Sequence, residues 1–246
     1  MFRNNGKNNS RLNTKPKNKP KNITSIKQIS SVIYTNNNFE IIMEKNIDSF
    51  TKDFLNTNIN EVVIFGKGPS FKIIEKTDNL FFIGINQTIN FLDNCDMLVI
   101  NDLHNIYSIN DEKIKNLKYI LTPEYLHINK LFDINGNCKK VIEYLENKNF
   151  KGKYIIFNLN TNPISNINLI TLPSTISSSN TATDFVCMFM NKFIKNISYY
   201  GVGVYNDNKY TNIFTGNGSY NINEINLIRN HIIKTCINYS IKYILN

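Results

Sequence analysis

The residues best suited to chemistry stand in short clusters, and the sharpest is Gly66-Lys67-Gly68-Pro69-Ser70, directly after the apolar run Val62–Phe65. Two glycines let backbone approach a ligand closely and reach positive φ. Pro69 suits the first turn of a following helix, where its missing N–H costs nothing. A helix start there, with the Ser70 hydroxyl beside it, attracts an anion. The spacing therefore predicts a loop that holds a phosphate. It is neither the dinucleotide fingerprint nor a Walker A loop, because the closing Gly-Lys-Ser/Thr is missing.

Four more clusters follow along the chain. Asn86-Gln87 ends the apolar run Phe81–Ile85, where amides can read a base or a ribose. Asn101-Asp102, with His104, ends Met97–Ile100, and Asp102 stands where an acid would meet a ribose or an acceptor. Ser177–Thr181 is a hydroxyl-rich helix start, so Ser179, Asn180 and Thr181 mark a second anion site. Tyr199–Tyr205 ends a strand in a glycine turn at Gly201 and Gly203, with Tyr205 and Tyr210 as phenolic donors. An imidazole base has to be His104, His127 or His231, and His231 falls inside a predicted helix. Nucleophile-elbow, zincin and paired-carboxylate signatures are absent. No metal-ligand spacing is present, and no cofactor is expected.

These clusters need a frame to converge. Val62–Phe65, Phe81–Ile85, Met97–Ile100, Lys118–Leu121, Tyr154–Phe157, Leu169–Leu172 and Ile197–Tyr200 read as strands. Their apolar runs are continuous rather than alternating, which predicts strands buried on both faces of a parallel sheet. A polar helix is expected over Ile47–Leu55 and another around Val141–Leu145. The best helix follows the serines: Ala182, Phe185, Val186, Phe189, Met190 and Phe193 form one apolar stripe. A last helix is expected over Asn223–Tyr243, with Ile225, Ile228, Ile232 and Tyr239 on one face. The expected class is α/β, a Rossmann-like, doubly wound, mostly parallel sheet with helices on both faces.

Charge divides the chain unevenly. The net charge is +9, yet Glu40 is the first acid, and eight basic residues precede it. Residues 1–38 read as a disordered basic tail and 39–246 as a single domain. The four cysteines lack CxxC spacing, which favours a reducing, cytoplasmic setting; an organellar or viral origin stays open. No stretch approaches the roughly 20 apolar residues of a transmembrane helix, and no secretory leader is visible. Asparagine, isoleucine and lysine are over-used, as in an AT-rich genome.

Taken in order, VVIFGKGPSFKIIE, IGINQTINF, DMLVIND and SSSNTATDFVCMFMNKFIKNISYYGVGVY resemble the bacterial sialyltransferases of glycosyltransferase family 42 and related GxGPS proteins. The resemblance implies a metal-independent transfer from a CMP-type nucleotide sugar to a glycan or lipid acceptor. It implies Gly66, Gly68, Pro69 and Ser70 against the phosphate, and Asn86 and Gln87 at the ribose or sugar. Ser179, Asn180 and Thr181 would hold the phosphate or the donor carboxylate, and Gly201 would lie near the base. Lys67 stands where the family usually has Asn, and a lysine there can pair with phosphate. The family's last strand usually ends Gly-Ile-Asp; here it reads Gly201-Val202-Gly203. The family carries a lid with a histidine base beyond that strand, which implies a reduced lid here, with His231 and Asp102 as the catalytic candidates.

Two further readings follow from the residues. One is a pterin-type pyrophosphokinase, which would need magnesium at Asp102. The other is a non-catalytic scaffold whose basic tail binds nucleic acid. In that case RNA affinity falls steeply with salt. A filter-binding assay would then show it vanish on deletion of residues 1–38, and retention after the deletion sinks the idea.

Overall fold

A computed structural model describes residues 34–124, 137–160, 168–173, 177–202, 214 and 220–246. Among them, the apolar runs become strands of one sheet. These are β1 (Glu40–Ile42), β2 (Glu61–Phe65), β3 (Leu80–Ile85), β4 (Met97–Val99), β5 (Tyr119–Pro123), β6 (Lys153–Leu159), β7 (Ile170–Leu172), β8 (Asn196–Tyr200) and β9 (Lys242–Leu245). The order is β1-β6-β5-β4-β3-β2-β8-β9, with β7 also on β6, and every pairing is parallel. The five helices are α1 (Ile47–Lys52), α2 (Asp111–Asn116), α3 (Asn137–Asn147), α4 (Ser178–Phe189) and α5 (Ile222–Asn238).

Alternation along each strand sorts the core into two layers. Val62, Ile64, Phe81, Ile83, Met97 and Val99 pack with α4, α5, Phe50 of α1 and Phe54 just after it. Leu98, Ile100, Ile120, Tyr154 and Ile156 pack on the other face with α2 and α3. Both faces of the central strands are therefore covered, and this is a Rossmann-like parallel α/β fold. α4 follows from its stripe: Ala182, Phe185, Val186 and Met190 are fully buried. The Phe185 ring meets Phe50 at 5.0 Å and Phe189 at 5.1 Å between centroids.

From β2 the chain steps through β3, β4, β5 and β6 in one direction. It then returns through α4 to β8, on the far side of β2. The order reverses between β2 and β8. The segment after β2 packs Phe71 and Ile74 on one face, and α5, after β8, packs on the other. In open parallel sheets, ligands lie outside the carboxyl ends of the strands where connections diverge in this way.

Several expectations need correction. No helix follows Gly66–Ser70; residues 66–79 are turns and extended chain. Phe71 and Ile74 find apolar cover against Phe65, Phe82 and Leu92 without one. The expected helix to Tyr243 stops at Asn238. Ile241 N–H reaches back to the Cys236 carbonyl across Ser240, which sits at φ 56°. That is a Schellman-type stop, and it frees Lys242–Leu245 to join the sheet beside β8. Tyr239 is left 39% exposed, off the buried face that Ile225, Ile228, Ile232 and Cys236 form. β1 is an edge strand that the apolar runs did not indicate. The chain is tied down from Tyr34 onward: the Tyr34 hydroxyl donates to Glu124, and Asn36 donates to Glu146. Residues 1–33 lie outside the described residues. No described helix is long and apolar enough to cross a membrane.

Phe185 is the largest apolar group that α4 brings to the sheet. Phe185→Ala is expected to destabilise the fold by about 3–5 kcal/mol, read as a fall in the urea midpoint at unchanged m-value.

Candidate functional site

The carboxyl ends of β2 and β8 meet through bare backbone. Gly66 N–H donates to the Tyr200 carbonyl at 2.8 Å, and Gly68 N–H to the Gly201 carbonyl at 2.9 Å. Gly201 N–H donates to the Ser70 hydroxyl oxygen at 3.0 Å. A Cβ on Gly66 would stand 2.4 Å from the Gly201 carbonyl oxygen, and one on Gly201 2.3 Å from that of Gly66. Gly201 also sits at φ 72°. Glycine is required at both positions for this approach, whatever binds beside them.

The same bonds occupy part of the expected phosphate loop. The N–H groups of Gly66 and Gly68 go to the end of β8 and to Gly201, the Ser70 hydroxyl oxygen accepts from Gly201, and no helix dipole stands behind Pro69, which is exposed. Lys67 is the group of this loop that faces elsewhere. Its ammonium donates to Gln87 Oε1 at 3.3 Å, at the carboxyl end of β3. Burial lowers its pKa below the ordinary lysine value.

The edge continues along β3 and β4. Thr88, buried, donates its hydroxyl to the Phe65 and Ile85 carbonyls and so ties the end of β3 to that of β2. Asn86 adopts φ 52°, a left-handed conformation that Asn tolerates better than most residues. Its Oδ1 is buried and has no hydrogen-bond partner among the described residues. Asn101, just past β4 and 7% exposed, also has a buried Oδ1 with no such partner. Asp102 is half-buried beside it and opens the 3-10 helix Leu103–Ser108, and His104 is exposed.

α4 begins at the same edge. Asn101 N–H donates to the Ser178 hydroxyl oxygen at 3.2 Å. Ser177 is the N-cap and accepts from Asn180 N–H at 3.2 Å. The hydroxyls of Thr181 and Thr183 turn back to the carbonyls of Ser177 and Ser179. Most of the hydroxyl-rich turn is thus structural, consumed in starting a buried helix. The N–H groups of Ser178 and Ser179 remain, making no hydrogen bond among the described residues. They form the positive end of a helix of 12 residues.

Two further strands of this edge, β5 and β6, carry buried polar groups near their ends as well. Glu124, past β5, accepts from Tyr34 at 2.9 Å, and Asn158 lies in β6. Burial, then the nearby Cys138 and Glu124, raise the Tyr34 pKa, which keeps that phenol a donor. Sequence reasoning missed Glu124 and Tyr34. The only available signal was the position of Glu124 shortly after the expected strand Lys118–Leu121.

His231 is not brought to this edge. It lies midway along α5, and its Nε2 is 2.9 Å from both carboxylate oxygens of Asp184, one and a half turns into α4. Asp184 is 3% exposed and also accepts from Thr235. Beside the pair, Thr183, Tyr199 and Cys236 share hydroxyl and thiol contacts. This polar seam joins α5 to α4 and β8. Tyr205, Tyr210 and His127 lie outside the described residues, as does the turn beyond Val202.

The structure therefore joins Gly66–Ser70, Asn86, Gln87, Ser178–Thr181 and Gly201 along one carboxyl edge, with Asp102 at its rim, and leaves His231 in the helix layer. No protein-family model, curated protein or solved structure matches the chain.

His231→Ala is expected to cost about 1–3 kcal/mol of stability, because it strips a partner from a buried carboxylate. Nucleotide affinity should stay unchanged. Paired denaturation and calorimetric titrations check this; an affinity loss at unaltered stability would return His231 to the site.

Proposed function

We propose that the chain is a glycosyltransferase resembling the sialyltransferases, moving a sugar from a CMP-type donor to a hydroxyl of a glycan or lipid acceptor without a metal. The observation that carries the reading is the pairing of Asn101 with the start of α4. A buried amide oxygen with no partner among the described residues stands next to two unused N–H groups at a helix N-terminus. Leaving a buried acceptor unmet costs about 1–3 kcal/mol, and a bound donor group relieves it. A ligand with an anion for the N–H groups and a hydroxyl or amine for Asn101 and Asn86 fits such an edge, and a nucleotide sugar has both.

In the proposed reaction, the acceptor oxygen attacks the anomeric carbon. The bond from that carbon to the phosphate oxygen breaks, and the nucleoside monophosphate leaves with the electron pair. The acceptor proton passes to a base, for which Asp102 is the carboxylate at the rim of the edge. The protein's part is to orient both reactants and meet the charge of the leaving phosphate.

Titration calorimetry with CMP is the direct test. Binding below millimolar concentration is expected, and Asn101→Ala should weaken it roughly tenfold through the lost hydrogen bond. If neither CMP nor another nucleotide binds, the glycosyltransferase reading falls, and the scaffold with an RNA-binding tail gains.

A further inference from the structure

A cavity of about 420 Å³ opens at the amino ends of β4 and β5, at the opposite end of the strands from the polar edge. Three lysines line it: Lys76 from the connection before β3, Lys113 of α2, and Lys118 just before β5. The buried carboxylate of Asp96, just before β4, stands in the same wall. We propose that this cavity is a second binding site, for a small carboxylate or phosphate carried on a polar body. The site is separate from the carboxyl edge and does not depend on the nucleotide reading.

The charges on the wall do not cancel. Asp96 Oδ1 lies 2.9 Å from the Lys118 ammonium. Its Oδ2 accepts from the Lys76 ammonium and, at 2.9 Å, from Phe82 N–H. One carboxylate therefore faces two ammoniums, and one positive charge is left over. Lys113 adds another. It donates to the Leu92 carbonyl at 2.7 Å, which is a neutral acceptor. The nearest carboxylate oxygen, on Asp93, is 3.8 Å away on a side chain 96% exposed. An ion pair so exposed is worth little. An ammonium has three N–H donors, and each of these three has one close oxygen partner among the described residues. Donors thus remain for an oxyanion, and charge-assisted bonds to carboxylate or phosphate are the strong ones. The rest of the lining sets the ligand's other end. Asp93 and Glu112 are exposed acids of the same cavity, suited to hydroxyls or an amine. The volume exceeds what a bare anion fills and falls in the range of small-molecule sites.

The test is a titration of the full chain with glucosamine 6-phosphate, followed by backbone amide resonances. Glucosamine, which lacks the phosphate, is the control. Shifts are expected at Asp96, Lys113 and Lys118 with the phosphate ester and not with glucosamine. Lys118→Met and Lys113→Met, each checked for an unchanged thermal melt, should weaken binding roughly tenfold. Lys118 is the safer variant for folding, because Asp96 keeps Lys76 and Phe82 N–H. Lys115→Met removes an exposed lysine of α2 that does not line the cavity and should leave binding unchanged. No shift at the three amides would overturn the proposal. So would an equal loss in Lys115→Met, which would mean unspecific attraction to a basic surface. Shifts confined to Asn101 and Ser178 would place the ester at the carboxyl edge and overturn it as well.

Discussion

The contact between Gly66 and Gly201 is the constraint on which the rest of the edge depends. It brings two parallel strands together where the strand order reverses, the place where such sheets usually open for a ligand. The approach is so close that neither residue tolerates a Cβ, and it is held by main-chain bonds that leave the loop few donors. The polar groups at this edge are Lys67 at the loop's tip, the amides past β3 and β4, and the start of α4. A glycine loop that looks like a phosphate cradle acts first as a weld between β2 and β8.

α4 answers to both sides of that arrangement. Its stripe of Ala182, Phe185, Val186 and Met190 supplies apolar cover for the sheet. Its first turn spends nearly every hydroxyl on itself and on Asn101. Asp184, His231 and Thr235 then lock α5 against it. The helix cannot tilt without opening that polar seam and uncovering Phe185, so the two N–H groups at its start are held in place. Rigid placement of donors is what lets a site favour developing charge without reorganisation.

How much of this was legible follows from the physics of each element. Interior parallel strands bury both faces, so β2, β3, β4, β6 and β8 declared themselves as unbroken apolar runs. β1 and β9 are edge strands with exposed positions, and β9 hid inside an apparent helical period because only Tyr239, Ser240 at φ 56° and Ile241 separate it from α5. Pro69 suggested the first turn of a helix after the loop. Tertiary burial of Phe71 and Ile74 satisfied it in extended form, and packing overrode propensity. The polar edge was harder. Asparagine is so common here that Asn86 and Asn101 carried little signal. Their distinguishing property, an unmet buried oxygen, exists only in three dimensions. Likewise, the side on which Gln87 presents its oxygen depends on Ser108 and Asn105, some twenty residues away.

The unmet oxygens and the left-handed Asn86 belong to one account. A residue held at positive φ and a buried acceptor without a partner each cost stability of about 1–3 kcal/mol. Neither improves the packing of the sheet, since Val62–Phe65 and Ile83 are already fully covered. Both stand on the same edge as Lys67 and the start of α4. Costs that cluster at one edge, while the core beside them is well packed, have the pattern of a surface prepared for a second molecule rather than of random imperfection. The groups present also restrict what that molecule is. Among the described residues, neutral amides along this edge suit hydroxyls and amines better than apolar groups. A nucleoside monophosphate joined to a hydroxyl-rich sugar meets each of these demands at once.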